Sequence, residues 1–471
     1  MRSIEHIYID GQFVTPHGTE SFDLHNPATG EVIGQVRLAD EEDARAAIAA
    51  AKRAFPAFSQ TNTEERIAIL HRLRDAMAAH RNDLLEAVVE EYGAPASRAA
   101  FMVDHPINVF SEAADLLGEY PFVRRMGAAE VKMEPLGVAG LITPWNSNAG
   151  FICGKLATAI AAGSTAVIKP SEMSAIQTQI VTEALHAAGL PAGVFNIITG
   201  RGEVVGREIS THPDIAKISF TGSTAVGKSI LRAAADTMKR VTLELGGKSP
   251  TLILDDADLT QAISLAVNAA FMNSGQACIA GTRLLAPFSR LAEIEALATA
   301  AVEQVKAGDP RDPATQVGPM VSRKQWERVQ SYIRQGIEEG AALLAGGAGK
   351  PEGTTGWFVR PTLFTGVRND MAIAREEIFG PVLSIIPYQD EEEAIAIAND
   401  TVYGLQAYVL SGDRDRARSV ADRIVAGRVL INTLAHEPKA PFGGFKQSGI
   451  GREYGPFGLE AFLEPKSLLG V

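Results

Sequence analysis

The chain has 471 residues, of which 46% are hydrophobic and 21% charged. That length exceeds one ordinary hydrophobic core, so two or three domains are expected. The formal net charge of -12 argues against a polyanion-binding surface, and so against a nucleic-acid partner.

The first residues, MRSIEHIYIDGQF, contain no apolar core of the kind that makes a signal peptide. The longest membrane candidate, LATAIAAGSTAVI between Lys155 and Lys169, is too short to span a bilayer. No membrane association and a cytoplasmic location are therefore expected. Two cysteines, Cys153 and Cys278, supply neither a disulfide framework nor a zinc site.

In chain order, HIYID and FVTP flank Asp10-Gly11, a favoured hairpin pair. The turn Asn26–Gly30 precedes EVIGQV. Helical patterns follow at Glu41–Phe55 and from Glu64 to about Glu91. From Gly137 the rhythm becomes short apolar strand, polar turn, helix: GVAGLIT, STAVI, GVFNII and IAKISF each end in a polar or Gly-rich turn. Continuous short apolar runs are expected of buried parallel strands, and strands alternating with helices imply a doubly wound α/β layer. Ligands sit beyond the carboxyl ends of such strands. A second α/β region runs from Gly246-Gly247 to about Asn432, with an exposed loop at Ala345–Gly356 and an acidic helix start at Asp390–Glu393.

Several residues have chemistry worth weighing. Cys278 ends the polar stretch NSGQAC after a helix near Phe271. A free cysteine is commonly inert packing, but this one sits in a turn at a helix end, and the two readings balance. Glu244 lies in the apolar run VTLELGG. Burial would raise its pKa and make it a usable general base; a half-exposed strand position is the plainer reading. Asn146, after Pro144-Trp145, is either an oxyanion donor or a turn former. The glycines of GRGEVVG, including Gly202 and Gly206, follow a strand at a spacing one residue longer than the dinucleotide fingerprint. Lys169 and Glu172 are either ribose ligands or surface charges.

Nine blocks, NPATGEVIG, TPWN, VIKPSE, FTGSTAVG, LELGGKSP, NSGQACIAGTR, EEIFGPV, NDTVYGL and PFGGFKQSGIGRE, together resemble the aldehyde dehydrogenase superfamily along nearly the whole chain. The resemblance implies two Rossmann-like doubly wound domains plus a small β oligomerisation element. Residues 1–118 and 136–246 would bind NAD(P), 247–436 would be catalytic, and 119–135 with 457–471 would join subunits as a homodimer or homotetramer. It implies Cys278 as nucleophile, Glu244 as base and Asn146 with a backbone amide as oxyanion hole. Cofactor contacts would come from Trp145, Lys169, Glu172, Gly202, Gly206, Phe220, Gly222, Ser223, Val226, Leu245, Gly246, Glu377 and Phe379. A carboxylate at Glu172 favours NAD, with NADP as the alternative.

The implied activity is oxidation of a small-molecule aldehyde to the free acid through a thiohemiacetal and a thioester that water hydrolyses. Many relatives carry bulkier side chains at the positions of Ser147 and Gly154. Small residues there, with Gly150, Ile279 and Phe442 as walls, suggest a bulky or aromatic aldehyde; neighbouring segments refilling the space is the competing outcome. No arginine occupies the matched tunnel positions, so an acidic semialdehyde is not indicated. His436 and Lys439 either edge the entrance or sit on a surface loop. Competing functions are a CoA-acylating dehydrogenase, which would typically lack the match to Glu244, a cysteine hydrolase, which needs a histidine partner, and a non-catalytic protein retaining the fold.

Overall fold

The structure is a computed structural model and describes residues 2–471. Two large sheets organise it. The first has eight strands in the spatial order Gly449–Ile450, Arg240–Glu244, Ile215–Thr221, Val138–Ile142, Thr165–Lys169, Phe195–Ile197, Ile7–Ile9 and Gln12–Val14. The five central strands are parallel. Antiparallel strands flank them on both sides. Four of the five are the apolar runs GVAGLIT, STAVI, GVFNII and IAKISF. They are buried on both faces because helices cover both, which removes any need for polar alternation.

The second sheet has seven strands, ordered Ala342–Ala345, Thr362–Thr365, Val382–Tyr388, Arg283–Pro287, Pro250–Ile253, Gln406–Leu410 and Arg428–Ile431. Only the first pair is antiparallel. A separate antiparallel sheet joins Val123–Met126 and Ala129–Pro135 to Leu463–Leu469 near the C-terminus. A further small sheet of Arg2–Ile4, Val32–Arg37 and Ser21–His25 was not foreseen as a unit. No helix among the described residues is long and apolar enough to cross a membrane.

Local chemistry explains the boundaries. The Asp10-Gly11 turn joins its strands with both residues at positive φ, 53° and 81°. Ile9 faces Gln12 across it, as a two-residue hairpin requires. The helix at Glu41 starts on a capping box between Asp40 and Asp43 and runs to Phe58, three residues past expectation. The acidic run at Asp390 also caps its helix, Glu391–Asn399.

The long helical pattern from Glu64 to Glu91 does not fold as one helix. It breaks at His80 (φ -100°, ψ 10°) into Thr63–Ala79 and Arg81–Ala87, and then widens into a π-type turn at Val88–Tyr92. The widened turn points Glu91 inward, where its carboxylate accepts from Ile176 N (2.7 Å), Gln177 N (3.0 Å) and Gln177 Nε2 (3.0 Å). Gly93 ends the segment at φ +79°, and a Cβ there would lie 2.5 Å from Pro319 Cγ. Side-chain periodicity cannot report the widened turn, since it accompanies a carboxylate docking onto another helix start. The glycine stretch after Phe195–Ile197 likewise forms a π-type turn, Gly202–Gly206, leading into a helix of five residues, Arg207–Thr211.

Candidate active site

The segment carrying Cys278 leaves the helix Leu259–Phe271, capped by Asp258, through three successive residues at positive φ: Asn273 (52°), Ser274 (58°) and Gly275 (72°). Left-handed backbone at non-glycine residues costs on the order of 1–3 kcal/mol each and persists only where surroundings impose it. Here they do. Ser274 Oγ accepts from Gly318 N at 2.9 Å. Gln276 accepts from Val321 N at 3.0 Å, and Asn273 donates to Asn146 O at 2.9 Å. A Cβ on Gly275 would stand 2.3 Å from the Gly380 carbonyl, so the turn admits only glycine. Cys278 emerges half-buried. Burial first, then the carboxylates of Glu377 and Glu244, push its thiol up to about 12, while Arg428 opposes them. Cys153, by contrast, is buried in the core.

Glu244 is the last residue of the strand Arg240–Glu244 and is only 2% exposed. Neither carboxyl oxygen has a hydrogen-bond partner among the described residues. Burial, reinforced by Glu453, raises its pKa well above the ordinary carboxylate value; Lys155 and Arg452 oppose. The plainer expectation of a half-exposed glutamate is thereby overturned. Its carboxyl has room because residue 443 is glycine: a Cβ there would lie 2.7 Å from Glu244 Oε1. Asn146 is buried, and its Nδ2 donates to Gln276 O at 2.9 Å. An amide NH2 has two N–H donors, so one remains for another acceptor.

These three residues line one cavity of about 310 Å³. Trp145, Gly222, Ser223, Leu245, Gly246, Glu377 and Phe379 line it too, along with Thr221, Phe151, Gln325 and Arg328, which were not anticipated. Ser223 caps the twelve-residue helix Thr224–Ala235, whose N-terminal amides face the cavity end of the sheet. Glu377 is held by Gly247 N at 3.1 Å, and burial lifts it to about 7. Gln325 donates to the Phe379 carbonyl (2.8 Å) and Arg328 to that of Glu377 (2.7 Å). The helix Arg323–Glu338 thus fixes the loop of EEIFGPV. A nucleotide cofactor fits this donor set: an apolar slot, a free helix start and a carboxylate beside glycines that leave no room for a Cβ. Gly246 shows the closeness best, since a Cβ would lie 2.4 Å from Glu377 Oε2.

The other predicted residues lie around this cavity without lining it. Lys169 is buried and donates to Pro170 O (3.0 Å) and Glu172 (3.4 Å); Glu172 also meets Arg201 at 3.5 Å. Gly206 packs 3.9 Å from the Lys169 stem, Gly202 is open, and Val226 is 47% exposed. Phe220 is a core residue whose ring leaves no room for a side chain at Gly222.

On the substrate side, the space over Gly150 is refilled. The His105 ring would lie 3.1 Å from a Cβ at Gly150, and Ser147 Oγ 2.9 Å. Gly154 opens instead onto a second cavity of about 280 Å³ behind Tyr454, which Lys439 also lines and which Cys278 does not reach. The Ile279 carbonyl accepts from Tyr408 Oη (2.9 Å), and Phe442 packs edge-on against Tyr454 (5.9 Å). His436 is exposed but accepts from Arg428 at 3.0 Å. Arg98 and Arg428 lie outside the matched tunnel positions, over the rings of Phe101 (4.3 Å) and Phe442 (5.1 Å).

Two further groups were missed. Lys155, buried, donates to Ser219 Oγ (2.8 Å) and pairs closely with Glu453, whose carboxylate also accepts from Ser219. A lysine within the apolar run ICGKLATAI carries the same signal that singled out Glu244, a charge where burial is expected.

Comparison with known proteins agrees with this geometry. The profile described as "Aldehyde dehydrogenase family" matches residues 13–468. A protein of Pseudomonas sp named 3-succinoylsemialdehyde-pyridine dehydrogenase is 46% identical over 473 residues, covering 100% of this chain and 99% of its own. Aldehyde dehydrogenase C from Pseudomonas syringae, a mutant solved with NAD+ and octanal, superimposes with a TM-score of 0.97 at 46% identity, over 99% of this chain and 96% of that one. A Mycobacterium tuberculosis aldehyde dehydrogenase solved with NAD+ gives 0.95 at 40% identity, over 99% and 98%. With matches that span the chain and a cavity uniting a cysteine, a buried carboxyl and an asparagine amide, the protein belongs to the aldehyde dehydrogenase family.

Proposed function

We propose that the chain oxidises an aldehyde to its free carboxylic acid with NAD, through Cys278. The observation that carries this reading is that Cys278, Asn146 and Glu244 line a single cavity with the residues suited to a nucleotide. Trp145, Gly222, Ser223, Leu245, Gly246, Glu377 and Phe379 would hold the nicotinamide end, and Lys169 with Glu172 the adenosine ribose. NAD, when bound, supplies the acceptor for the aldehyde hydride. The thiol of Cys278 sits high in pKa, so attack requires that its proton pass to solvent water as the C–S bond forms. The free N–H of Asn146 and a backbone amide receive the developing oxyanion. After oxidation the acyl group remains on Cys278 as a thioester. Glu244 takes a proton from water that attacks it, and Cys278 leaves as thiolate. Lys155 and Glu453 lie close enough to Glu244 to shape its charge.

Glu244 favours hydrolysis over CoA acylation, because an unpartnered buried carboxyl beside Cys278 is what water activation needs. The finer substrate reading is a bulky or aromatic aldehyde. Its support is the cluster of rings of Phe442, Tyr454 and His105, which lies outside the residues lining the Cys278 cavity, and it rests on those rings instead of on an open space at Ser147 and Gly154. We further infer three units: cofactor-binding (1–118, 136–246), catalytic (247–436), and a self-association element (119–135, 457–471). The third exposes Met126 (60%) and Leu469 (77%) on its sheet, consistent with a homo-oligomer. NADH formation with a panel of aldehydes tests the activity. A product analysis with CoA present separates acid from acyl-CoA. Acetaldehyde turned over better than an aryl aldehyde would remove the substrate reading.

A further inference from the structure

One face of the helix Ala96–Glu119 carries Arg98, Phe101 and His105 in a row at spacings of three and four residues. The Arg98 guanidinium stands 4.3 Å over the Phe101 ring, and Phe101 stacks on His105 at 5.4 Å with the planes 6° apart. His105 in turn fills the space left by Gly150, directly beside Ser147 and hence next to Asn146. Facing it are His436 (6.3 Å) and Tyr454 (6.5 Å). Tyr454 leads to Phe442, over whose ring Arg428 sits at 5.1 Å. This wall therefore runs from Asn146 round to Arg428, which acts electrostatically on the Cys278 sulfur.

Two features set the wall apart from an ordinary apolar lining. Tyr454 holds φ +64° and ψ 153°, a region that glycine alone occupies freely, so its ring position is imposed at a cost. In addition, its positive charge is not balanced. Arg98 Nε is buried with no hydrogen-bond partner among the described residues. Among the described residues no carboxylate acts to favour its charge, and its neighbour Tyr92 is held neutral by burial. Arg428 donates to Gln406 Oε1 (2.9 Å) and His436 Nδ1 (3.0 Å), both neutral acceptors, and among the described residues it too has no carboxylate partner. Burial keeps His105 down at about 4, so at neutral pH it is an uncharged hydrogen-bonding ring. A half-buried guanidinium lacking an anion is unfavourable unless a ligand supplies acceptors.

We propose that Arg98 and His105, backed by Arg428, form a subsite for an oxygen acceptor, a ketone or a carboxylate, at the far end of the aldehyde substrate. The proposal rests on the reading of Cys278 as nucleophile. It selects an aldehyde with a polar terminus from among the bulky substrates, and it assigns discrimination to residues outside the reacting centre.

The test compares kcat/KM of the NAD-supplied enzyme for octanal, the aldehyde acid of equal chain length and a keto-aldehyde of equal length. At least one acceptor-bearing aldehyde should exceed octanal about tenfold or more, the scale of one charge-assisted hydrogen bond. A lead for the acid indicates charge pairing with Arg98; equality of acid and ketone indicates hydrogen bonding alone. Arg98→Met and, as a second variant should that one fold poorly, His105→Phe should bring the ratio to octanal down toward one. Octanal oxidised as well as or better than both others overturns the subsite, as does a preference that survives both substitutions. Failure to oxidise any aldehyde overturns the nucleophile reading first, and this one with it.

Discussion

Replacing Glu244 by glutamine tests the hydrolytic step with little disturbance to the fold. The side chain is 2% exposed, and both oxygens lack partners among the described residues. Its neutral form is the one burial favours, so the neutral, similarly shaped amide fits the same space. The group's folded pKa is raised from 4.5. Its contribution to stability is therefore full below about pH 4.5 and is lost as pH rises through the folded pKa. The variant carries no such loss, so its Tm relative to the parent should rise from pH 5 to pH 8. Catalysis should move the opposite way. A positioned general base contributes roughly 10²–10⁴-fold, and steady-state acid production should fall by that factor. Attack by Cys278 and oxidation come before water enters, so stopped-flow should still show a burst of NADH near the concentration of sites. In the parent, kcat should rise with pH through an apparent pKa well above 4.5, and that limb should vanish in the variant. Steady-state turnover within about threefold of the parent, with the pH limb intact, would refute the role given to Glu244.

The remaining expectations are simpler. Cys278→Ala should lower aldehyde oxidation by at least about 10³-fold, as loss of a nucleophile does elsewhere, while NAD binding by calorimetry persists. Asn146→Ala should cost about 10²–10³ in kcat, with its effect on KM small, if its spare N–H serves the oxyanion. Gly246→Ala would place a Cβ 2.4 Å from Glu377 Oε2; overpacking of this kind costs about 1–3 kcal/mol, to be read as a weaker Kd for NAD. Glu91 is 2% exposed and raised from 4.5 to about 7 by burial. Its stabilisation is complete below pH 4.5 and declines by about 3 kcal/mol as pH climbs past 7. Chemical denaturation of Glu91→Gln across that range should show the decline flattened.

Much of this molecule is legible in its sequence, and the exceptions share a cause. The parallel strands Val138–Ile142, Thr165–Lys169, Phe195–Ile197 and Ile215–Thr221 are mostly apolar because both faces are covered, and that pattern is local. The turn at Val88–Tyr92 is not local, since Glu91 leaves its helix to cap the start of another at Ile176 and Gln177. The same holds at the site. Asn273 and Ser274 read as ordinary turn formers, yet their left-handed backbone depends on Asn146 and Gly318, far away in the chain. Small residues at Ser147 and Gly154 predict empty space, but a small residue reports only what it omits itself. His105, on another helix, fills the space at Gly150 beside the first, and the fold turns the second toward a different cavity.

The buried ionisable groups at the site follow one rule that no single segment displays. Cys278, Glu244 and Glu377 are each shifted toward their neutral forms, with burial as the leading cause in every case. None of them forms an ion pair that would fix a charge in the resting protein. A cysteine held near 12 is a poor nucleophile until something nearby takes its proton or draws on its charge. Glu244, with both oxygens free, is placed to take a proton at one stage and give it up at another. Lys155 and Glu453 are bonded to each other, so they tune that exchange without replacing it. Arg98 and Arg428 depart from the pattern, keeping positive charge without a protein anion beside the same wall. Charge at the reacting centre is thus deferred until substrate and cofactor arrive, while charge at the far wall is permanent. Chemistry and selection are separated along the same aldehyde.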